Sequence, residues 1–400
     1  EGLLGVIEDP FGGALCLVLF GMFFLRPMYR MNVLTIGDVF KKIFGKRVEF
    51  FASVFMIPAY FGYVAAQLVA LSLVLGAVTD LSLMEGILIS SAIVVFYTFL
   101  GGMWAISITD FIQTTMIVIG LIWVAIMVAK EAGGVGEIFA QAPPESFQFF
   151  PEATLSGWTK YLGAWIILGL GSIPSQDIYQ RVMSSKSEKV AVRSTYLAGA
   201  FYLTFGLLPL FIALGAKVLY PELYLENKQM LLPSMVLQHG GLPVQIVFFG
   251  ALISAIMSTT SSGLLAPAAI ISENLIRPYF GKKLEERHFL WILRFNVVVV
   301  ALIAILMASW KSNIYELVAG ASILMLVSLF VPLTAGLYWK KASKMGALMS
   351  MVFGMIVYLA SENYLHTDES HLIGLLGSGL SMMIGSLLFP DKTNPSHELS

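Results

Sequence analysis

The sequence predicts an all-α, polytopic membrane protein, and two observations lead to that prediction. Hydrophobic residues make up 58% of the 400 residues and charged residues only 12%, whereas soluble chains carry about 25% charged residues. The apolar residues fall into about eleven long runs separated by short polar joints, and roughly 20 apolar residues cross the hydrocarbon core of a bilayer as a helix. We therefore expect about 11 transmembrane helices.

The apolar runs give the expected spans in chain order. Lipid offers an open backbone no hydrogen-bonding partner, and a closed barrel would show short alternating segments, so each long run is expected to be a helix. The predicted spans are residues 10–26, 49–78, 85–101, 108–129, 160–176, 192–215, 242–270, 289–309, 313–338, 345–361 and 370–389. The chain opens with Glu1 and shows no signal-peptide pattern, so we expect further sequence upstream.

Basic residues are divided unequally between alternate loops. Eighteen lysines and arginines fall in or beside the loops 27–47, 178–191, 271–288 and 339–344 or follow the last span, and only five fall on the other side. Short cytoplasmic loops carry the excess of lysine and arginine. The asymmetry predicts that these four loops and the C-terminus are cytoplasmic and that the first residues lie outside.

The span 160–176 contains residues that weaken a helix. Gly169, Gly171, Ser172 and Pro174 stand within six positions, where glycine costs about 1 kcal/mol and proline about 3 kcal/mol relative to alanine. A kink or an unwound turn is expected there. Broken helices of this kind build the central site of many secondary transporters, whereas an ordinary proline-kinked helix packed on a neighbour would show the same composition.

The span 242–270 contains five consecutive hydroxyl residues, 258–262, in an otherwise apolar run. At helical spacing the carbonyl of Ala255 and the side chains of Ser258 and Thr259 share one face, and Ser261 and Ser262 extend it. Neutral oxygens suit sodium better than a divalent ion, which usually takes carboxylates. The alternative is that the hydroxyls bond to carbonyls of their own helix and pack against a neighbour.

Asp110 is the only carboxylate between Glu85 and Glu131. One interpretation is that it caps the N-terminus of the next span, with Gln113 completing a capping-box-like pair. A charged group at the edge of the hydrocarbon is also a candidate for a functional site when a polar partner is near. The hydroxyls of span 242–270 are expected to approach the same side of the membrane.

Several short motifs in this order resemble the sodium:solute symporter family, which includes sodium/glucose, sodium/proline and choline transporters. The resemblance runs from about residue 1 to residue 360. Its motifs are Tyr97-Thr98-x-x-Gly101-Gly102, Thr109-Asp110-x-x-Gln113, Gln180-Arg181, Ala255-x-x-Ser258-Thr259 and Gly336-Leu-Tyr-Trp339-Lys340-Lys341. Each motif alone is weak, and their order and spacing together are specific.

The resemblance implies a core of two inverted five-helix repeats that bind sodium and solute near the membrane midplane. Matched to that core, the span 10–26 corresponds to its second helix and 160–176 to its sixth, so the first core helix is expected to be missing from residues 1–400. The first repeat, incomplete, then covers about 1–130 and the second about 155–338, with accessory helices at about 345–389. Together they form one transmembrane domain.

The resemblance also assigns site residues. Ala255, Ser258 and Thr259 match sodium ligands of the eighth core helix, and Asp110, Ser258, Ser261 and Ser262 match a second sodium site that some members have. The missing first core helix supplies further sodium and solute contacts in the family.

The nature of the solute is less strongly indicated. The aromatic cage of the choline branch would be expected at positions that hold Gly13, Ala66 and Ser175 here, and a quaternary ammonium is held by cation–π contacts. This disfavours choline. Gln67, Ser172 and Ser175, with Gly171 at the break, are candidate solute-binding or gate residues suited to a small polar organic molecule, and each could equally pack between helices.

The predicted function is sodium-coupled movement of such a solute into the cytoplasm by alternating access, in the cell membrane of a bacterium. A transporter-like input domain of a sensor protein is an alternative. A membrane enzyme is disfavoured because no His, Cys or paired-carboxylate constellation is present. Sodium is the expected coupling ion, no organic cofactor is expected, and no basic stripe indicates a nucleic-acid partner.

Overall fold

The computed structural model describes residues 2–79, 81–226, 228–280, 285–365 and 369–391, with the backbone alone at 100–107, 224–226, 228 and 365. Every regular element in these ranges is a helix. The helices that form the domain are α1 Leu4–Met31, α2 Ile36–Phe44, α3 Lys46–Val78, α4 Leu83–Glu131, α5 Leu155–Gly171, α6 Gln176–Met183, α7 Glu188–Leu219, α8 Leu242–Phe280, α9 Glu286–Trp310, α10 Ile314–Tyr338, α11 Lys344–Tyr364 and α12 Ser370–Leu388.

Within the described ranges, nine stretches are long and apolar enough to cross a membrane. They are α1, α3, α7, α8, α9, α10, α11, α12 and the second arm of α4, Ile108–Glu131. The two other predicted spans, 85–101 and 160–176, correspond to the shorter apolar helices Leu83–Phe99 and α5. The all-α membrane architecture is therefore confirmed, and the count of eleven stays a prediction.

Helix α4 is one element by its backbone but is sharply bent. Its residues are helical from Leu83 to Glu131, yet the hydroxyl of Tyr97 contacts the hydroxyl of Thr109. A straight helix would hold residues twelve positions apart about 18 Å from each other along its axis. The chain must therefore turn back between these residues, and the two arms correspond to the predicted spans 85–101 and 108–129. Gly101 and Gly102 of the sequence motif lie where the structure describes the backbone alone.

Short polar residues set the starts of several helices. Each N-cap hydroxyl or amide oxygen accepts a backbone N–H of the first turn, which satisfies a group that the helix itself leaves unpaired. The N-cap residues that do so are Thr35, Ser82, Thr154, Ser187, Asn313 and Ser343. These caps fix where the chain leaves a loop and enters the domain.

The helices pack in two groups around a central space. Helix α8 contacts α3, α4 and α9, while α1 contacts α5 and α7. Helix α10 contacts both α3 and α5 and so connects the groups, and α11 packs against α12. The break predicted in the span 160–176 is present: α5 ends at Gly171 and α6 begins at Gln176, with a turn between them. The turn faces the space between the two groups.

Candidate functional site

A cavity of about 760 Å³ lies between the two helix groups. It is lined by residues of α1, α3, α5, α6, α7, α8 and α10 and by the turn between α5 and α6. The polar and charged lining residues are Asp9, Tyr60, Tyr63, Gln67, Ser172, Ser175, Asp177, Arg181, Ser185, Ser194, Thr195, Tyr202, Thr259, Ser262 and Ser322. The cavity has the size of a small-molecule site, for which about 300–1,000 Å³ is usual.

Three of the four predicted solute residues line this cavity, and the fourth does not. Gln67, Ser172 and Ser175 are in its wall, and Ser175 Oγ also donates to Met325 Sδ at 3.6 Å. Gly171 packs instead against α10, because a Cβ added there would lie 2.5 Å from the carbonyl oxygen of Ser322. Its role in the fold is therefore a close helix crossing, as the packing alternative predicts for this glycine.

Two carboxylates in the cavity wall are each bonded by a tyrosine of another helix. Tyr202 on α7 donates to Asp9 on α1 at 2.8 Å. Tyr60 on α3 donates to Asp177 on α6 at 2.7 Å, and the Asp177 N–H donates back to the Tyr60 hydroxyl at 3.1 Å. Each pair holds an acid beside an aromatic ring, and both pairs join different helices across the cavity.

The ring of Tyr202 lies beside Gly13, one of the three positions where an aromatic residue of the choline cage would be expected. A Cβ added at Gly13 would lie 2.8 Å from Cε1 of Tyr202. The glycine on α1 thus leaves room for a ring supplied by α7. At the two other expected cage positions, Ser175 lines the cavity but supplies no aromatic ring, and Ala66 is fully buried and does not line the cavity.

Helix α8 presents its five hydroxyls in different directions. Thr259 lines the cavity and donates to the carbonyl of Ala255 at 3.0 Å, so these two oxygens are adjacent. Thr260, which is fully buried, donates to Ile256 O at 2.6 Å, and Ser261 donates to Ser258 O at 2.9 Å. Back-bonding to the same helix therefore occurs at three of the five positions, and Ala255 O and Thr259 Oγ1 remain a pair of oxygens that one cation could contact.

The predicted second sodium site is a polar cluster that also contains an arginine. Ser258 Oγ donates to Asp110 Oδ1. Arg181 Nη2, from α6, donates to Asp110 Oδ2 at 3.2 Å and to Ser262 Oγ at 2.8 Å. Of the four predicted ligands, the structure brings together Asp110, Ser258 and Ser262, while the hydroxyl of Ser261 is directed to its own helix.

The interpretation of Asp110 as an N-cap is wrong. The backbone is already helical before it, and the N-cap of α4 is Ser82. Both carboxylate oxygens of Asp110 accept hydrogen bonds from other helices, one from Ser258 and one from Arg181. The chain turns before Thr109 without ending the helical backbone, so a cap at Asp110 is not needed.

Sequence reasoning assigned no role to four of the charged or aromatic residues at this site. Arg181 was part of a motif, and Asp177 follows the broken helix directly, so a charge beside a helix break was a usable signal for both. For Asp9 and Tyr202 no local signal existed, because their pairing joins positions far apart in the chain.

The sequence of this chain is similar to those of known membrane transporters. The family model described as "SSF: Sodium:solute symporter family" matches residues 9–354. A high-affinity choline transporter of Drosophila melanogaster is 32% identical over 369 residues, covering 88% of this chain and 58% of that protein. Sodium/proline symporter 2 of Staphylococcus saprophyticus is 34% identical over 291 residues, covering 68% of this chain and 54% of that protein. The chain thus spans less than two thirds of the length of these relatives.

A solved structure shares the fold. The substrate-bound, outward-open structure of a Na⁺-coupled sialic acid symporter superposes with a TM-score of 0.79 at 19% sequence identity, covering 98% of this chain and 85% of that one. At this identity the likeness concerns the fold alone. The family match spans most of the chain and agrees with the all-helical membrane architecture. The chain belongs to the sodium:solute symporter family.

Proposed function

We propose that this chain is the membrane domain of a symporter that couples sodium entry to the inward movement of a small polar organic solute by alternating access. One observation supports the proposal most: residues predicted to bind solute, Gln67, Ser172 and Ser175, and residues predicted to bind sodium, Thr259 and Ser262, line one cavity. Occupancy by one ligand can then affect the other directly. Such a site needs no covalent chemistry, no organic cofactor and no enzymatic group.

For the first sodium, we assign Ala255, Ser258 and Thr259 as ligands on α8. The adjacent oxygens of Ala255 and Thr259 support this assignment, since neutral oxygens can replace the hydration shell of a monovalent ion. Each sodium that moves inward through 100 mV contributes about 2.3 kcal/mol to solute movement. One sodium is thus enough to drive roughly a fiftyfold accumulation by the electrical term alone.

A second sodium at Asp110, Ser258, Ser261 and Ser262 would compete with Arg181. The guanidinium already contacts two of these four residues, so it is a resident cation where the ion would bind. Sodium binding there requires the guanidinium of Arg181 to move away. We therefore assign this site a lower sodium affinity than the first site.

We further assign the solute a positively charged ammonium group. Asp9 and Asp177 line the cavity beside the rings of Tyr60, Tyr63 and Tyr202, and carboxylates with aromatic faces are the groups that hold alkylammonium ions. The guanidinium in the same wall is already paired with Asp110. The ring of Tyr202 beside Gly13 weakens the objection to choline that arose from the missing cage residues.

The test uses the full-length protein. The solute is identified by measuring the melting temperature with quaternary amines, amino acids, sugars and carboxylates, each in sodium chloride and in potassium chloride. A bound ligand raises stability by RT ln(1 + [L]/Kd), so the solute should raise the melting temperature. Liposomes containing the protein should then accumulate the selected solute under an inward sodium gradient, and a sodium ionophore should abolish this accumulation. A solute that binds without accumulating would favour the sensor function instead. Preference for anionic carboxylates would overturn the assignment of an ammonium solute.

A further inference from the structure

A buried polar network connects the sodium helix to the segment before α2. Asn274 lies near the C-terminal end of α8 and is 3% exposed. Its Oδ1 accepts from Thr35 Oγ1 at 2.7 Å, and its Nδ2 donates to Asp38 Oδ1 at 3.1 Å and to Glu49 Oε1 at 3.0 Å. One side chain of α8 therefore holds the first turn of α2 and the first turn of α3.

The backbone of α2 is shaped to receive this side chain. A Cβ added at Gly37 would lie 2.6 Å from Cγ and Oδ1 of Asn274. A glycine near the start of a helix lowers its stability relative to alanine, so its presence here needs a local reason. The close approach of the Asn274 amide supplies that reason.

The same segment is also attached to the helix that follows the break. Gln176, the first residue of α6 and 1% exposed, accepts from the Ile36 N–H at 2.8 Å and donates to Leu34 O at 3.4 Å. Tyr179, also on α6, donates to Val33 O at 2.9 Å. Residues 33–36 are thus bonded to α6 by side chains that replace the partners their backbone lacks before a helix begins.

We propose that this arrangement, which we name the α2 clamp (Thr35, Gly37, Asp38, Gln176 and Asn274), couples sodium binding on α8 to the position of α6. The proposal rests on the proposed function, because it needs sodium to bind near Thr259 on α8 and α6 to move with the solute gate. A shift of the end of α8 would carry Asn274 and the first turn of α2, and α2 would carry Gln176. Asn274 is a positioning residue in this proposal and contacts neither ligand.

The network favours two discrete states over a gradual slide. Glu49 is 3% exposed, and its Oε1 accepts from both Asn274 and Lys41, the latter at 2.9 Å. Hydrogen bonds to buried charged groups are costly to leave unmade. The bonds of the α2 clamp are therefore expected to stay formed while α8, the start of α2 and α6 move together between two positions, as a coupling element requires.

The test follows the position of α6 without any solute. In full-length protein with the buried Cys16 and every cysteine outside residues 1–400 changed to serine, Ser185→Cys places a thiol in the cavity wall just after α6. The rate of its alkylation is measured in sodium chloride and in potassium chloride, in proteoliposomes. The parent protein should show a sodium effect of about fivefold or more, the lower end of ordinary coupling between sites.

Asn274→Ala should reduce this sodium effect to near unity while sodium still raises the melting temperature. Asn296→Ala is the matched control, because Asn296 is a buried asparagine, 5% exposed, that bonds Ser272 on the same part of α8 and none of the clamp residues. Gly37→Ala, which changes the α2 side of the contact with Asn274, should also abolish the sodium effect on alkylation. It replaces Asn274→Ala if that variant does not fold.

Three results decide between the possibilities. Loss of the sodium effect in Asn274→Ala or Gly37→Ala, with retention in Asn296→Ala, supports the clamp. An unchanged sodium effect in folded Asn274→Ala or Gly37→Ala overturns the clamp and leaves the proposed function intact. If sodium changes neither the alkylation rate nor the melting temperature of the parent protein, the proposed function is overturned and the clamp with it.

Discussion

At the scale of single residues, a hydroxyl that bonds to its own helix can still serve as a ligand. Thr259 and Thr260 are adjacent, and each donates to the carbonyl four residues before it. Only Thr259 lines the cavity, whereas Thr260 is fully buried. The oxygen of Thr259 donates its hydrogen to Ala255 O and keeps lone pairs that a cation in the cavity could contact, so the two threonines separate a structural role from a binding role.

Thr259→Val should raise the sodium concentration for half-maximal transport about tenfold, because losing one ligand worth about 1.4 kcal/mol weakens binding by that factor. Valine keeps the shape and removes the oxygen. Thr260→Val makes the same change one position away and should alter sodium dependence little. Equal effects of both substitutions, measured as sodium-dependent uptake at matched expression, would mean that the hydroxyls only pack.

Arg181→Gln should lower the sodium concentration that raises the melting temperature, because it removes the resident cation from Asp110. The ion pair is partly exposed, with 45% of the arginine and 23% of the aspartate side chain accessible. Such pairs are worth about 0.2–1 kcal/mol, so we expect a change of about 1.4- to fivefold. Adding Asp110→Asn to this variant should abolish the gain. A sodium titration that is identical in Arg181→Gln and the parent would make Asp110 an ion-pair partner only.

At the scale of helices, local patterns predicted the elements and long-range pairing determined the site. Run length and hydropathy located α3, α8, α9 and α10, and the Gly and Pro residues of 160–176 located the break, because both signals are properties of neighbouring residues. The two arms of α4 match two predicted spans, 85–101 and 108–129, but the contact between the hydroxyls of Tyr97 and Thr109 joins these arms in a way that no local pattern encodes.

The same limit applies to the site residues. The spacing of Ala255 and Thr259 on one helix was predictable from helical geometry, and so was the back-bonding alternative. The pairings of Arg181 with Asp110 and of Tyr202 with Asp9 join elements that are distant in sequence. Such contacts follow from how helices pack, which composition and periodicity do not specify.

Gly171→Ala should destabilise the protein, because its Cβ would lie 2.5 Å from Ser322 O on the backbone of α10, which cannot give way as a side chain could. We expect a lower melting temperature and loss of uptake, since α5 would be pushed from α10 beside the cavity. Gly320→Ala is the control on α10: no atom lies within 4 Å of its added Cβ, and alanine should stabilise that helix by up to about 1 kcal/mol. If Gly171→Ala is as stable as the parent, the crossing of α5 and α10 is looser than the structure indicates.

At the scale of the whole molecule, the outer surface is suited to lipid. Large apolar side chains point outward along the long helices, among them Phe111 at 76% and Leu197 at 70% exposure. Exposed aromatic residues stand at helix ends, as Trp310 does on α9 and Tyr364 on α11. In water such a surface would drive aggregation, whereas in a bilayer apolar sides with aromatic ends match the hydrocarbon and its interfaces.

The charges of the chain predict the orientation of the domain in the membrane, and labelling can test this prediction. Lys186 lies in the loop between α6 and α7, which the excess of basic residues predicts to be cytoplasmic, and Lys130 at the end of α4 is on the predicted outer side. The only cysteine among residues 1–400, Cys16, is buried, so these residues contribute little background reaction. In intact cells an impermeant thiol reagent should therefore label Lys130→Cys and leave Lys186→Cys unlabelled until the membrane is opened. The reverse pattern would invert the topology and place Arg181 and the α2 clamp on the outer side of the membrane. The solute would still be driven inward, because the sodium gradient and not the orientation of the protein sets the direction of coupled transport.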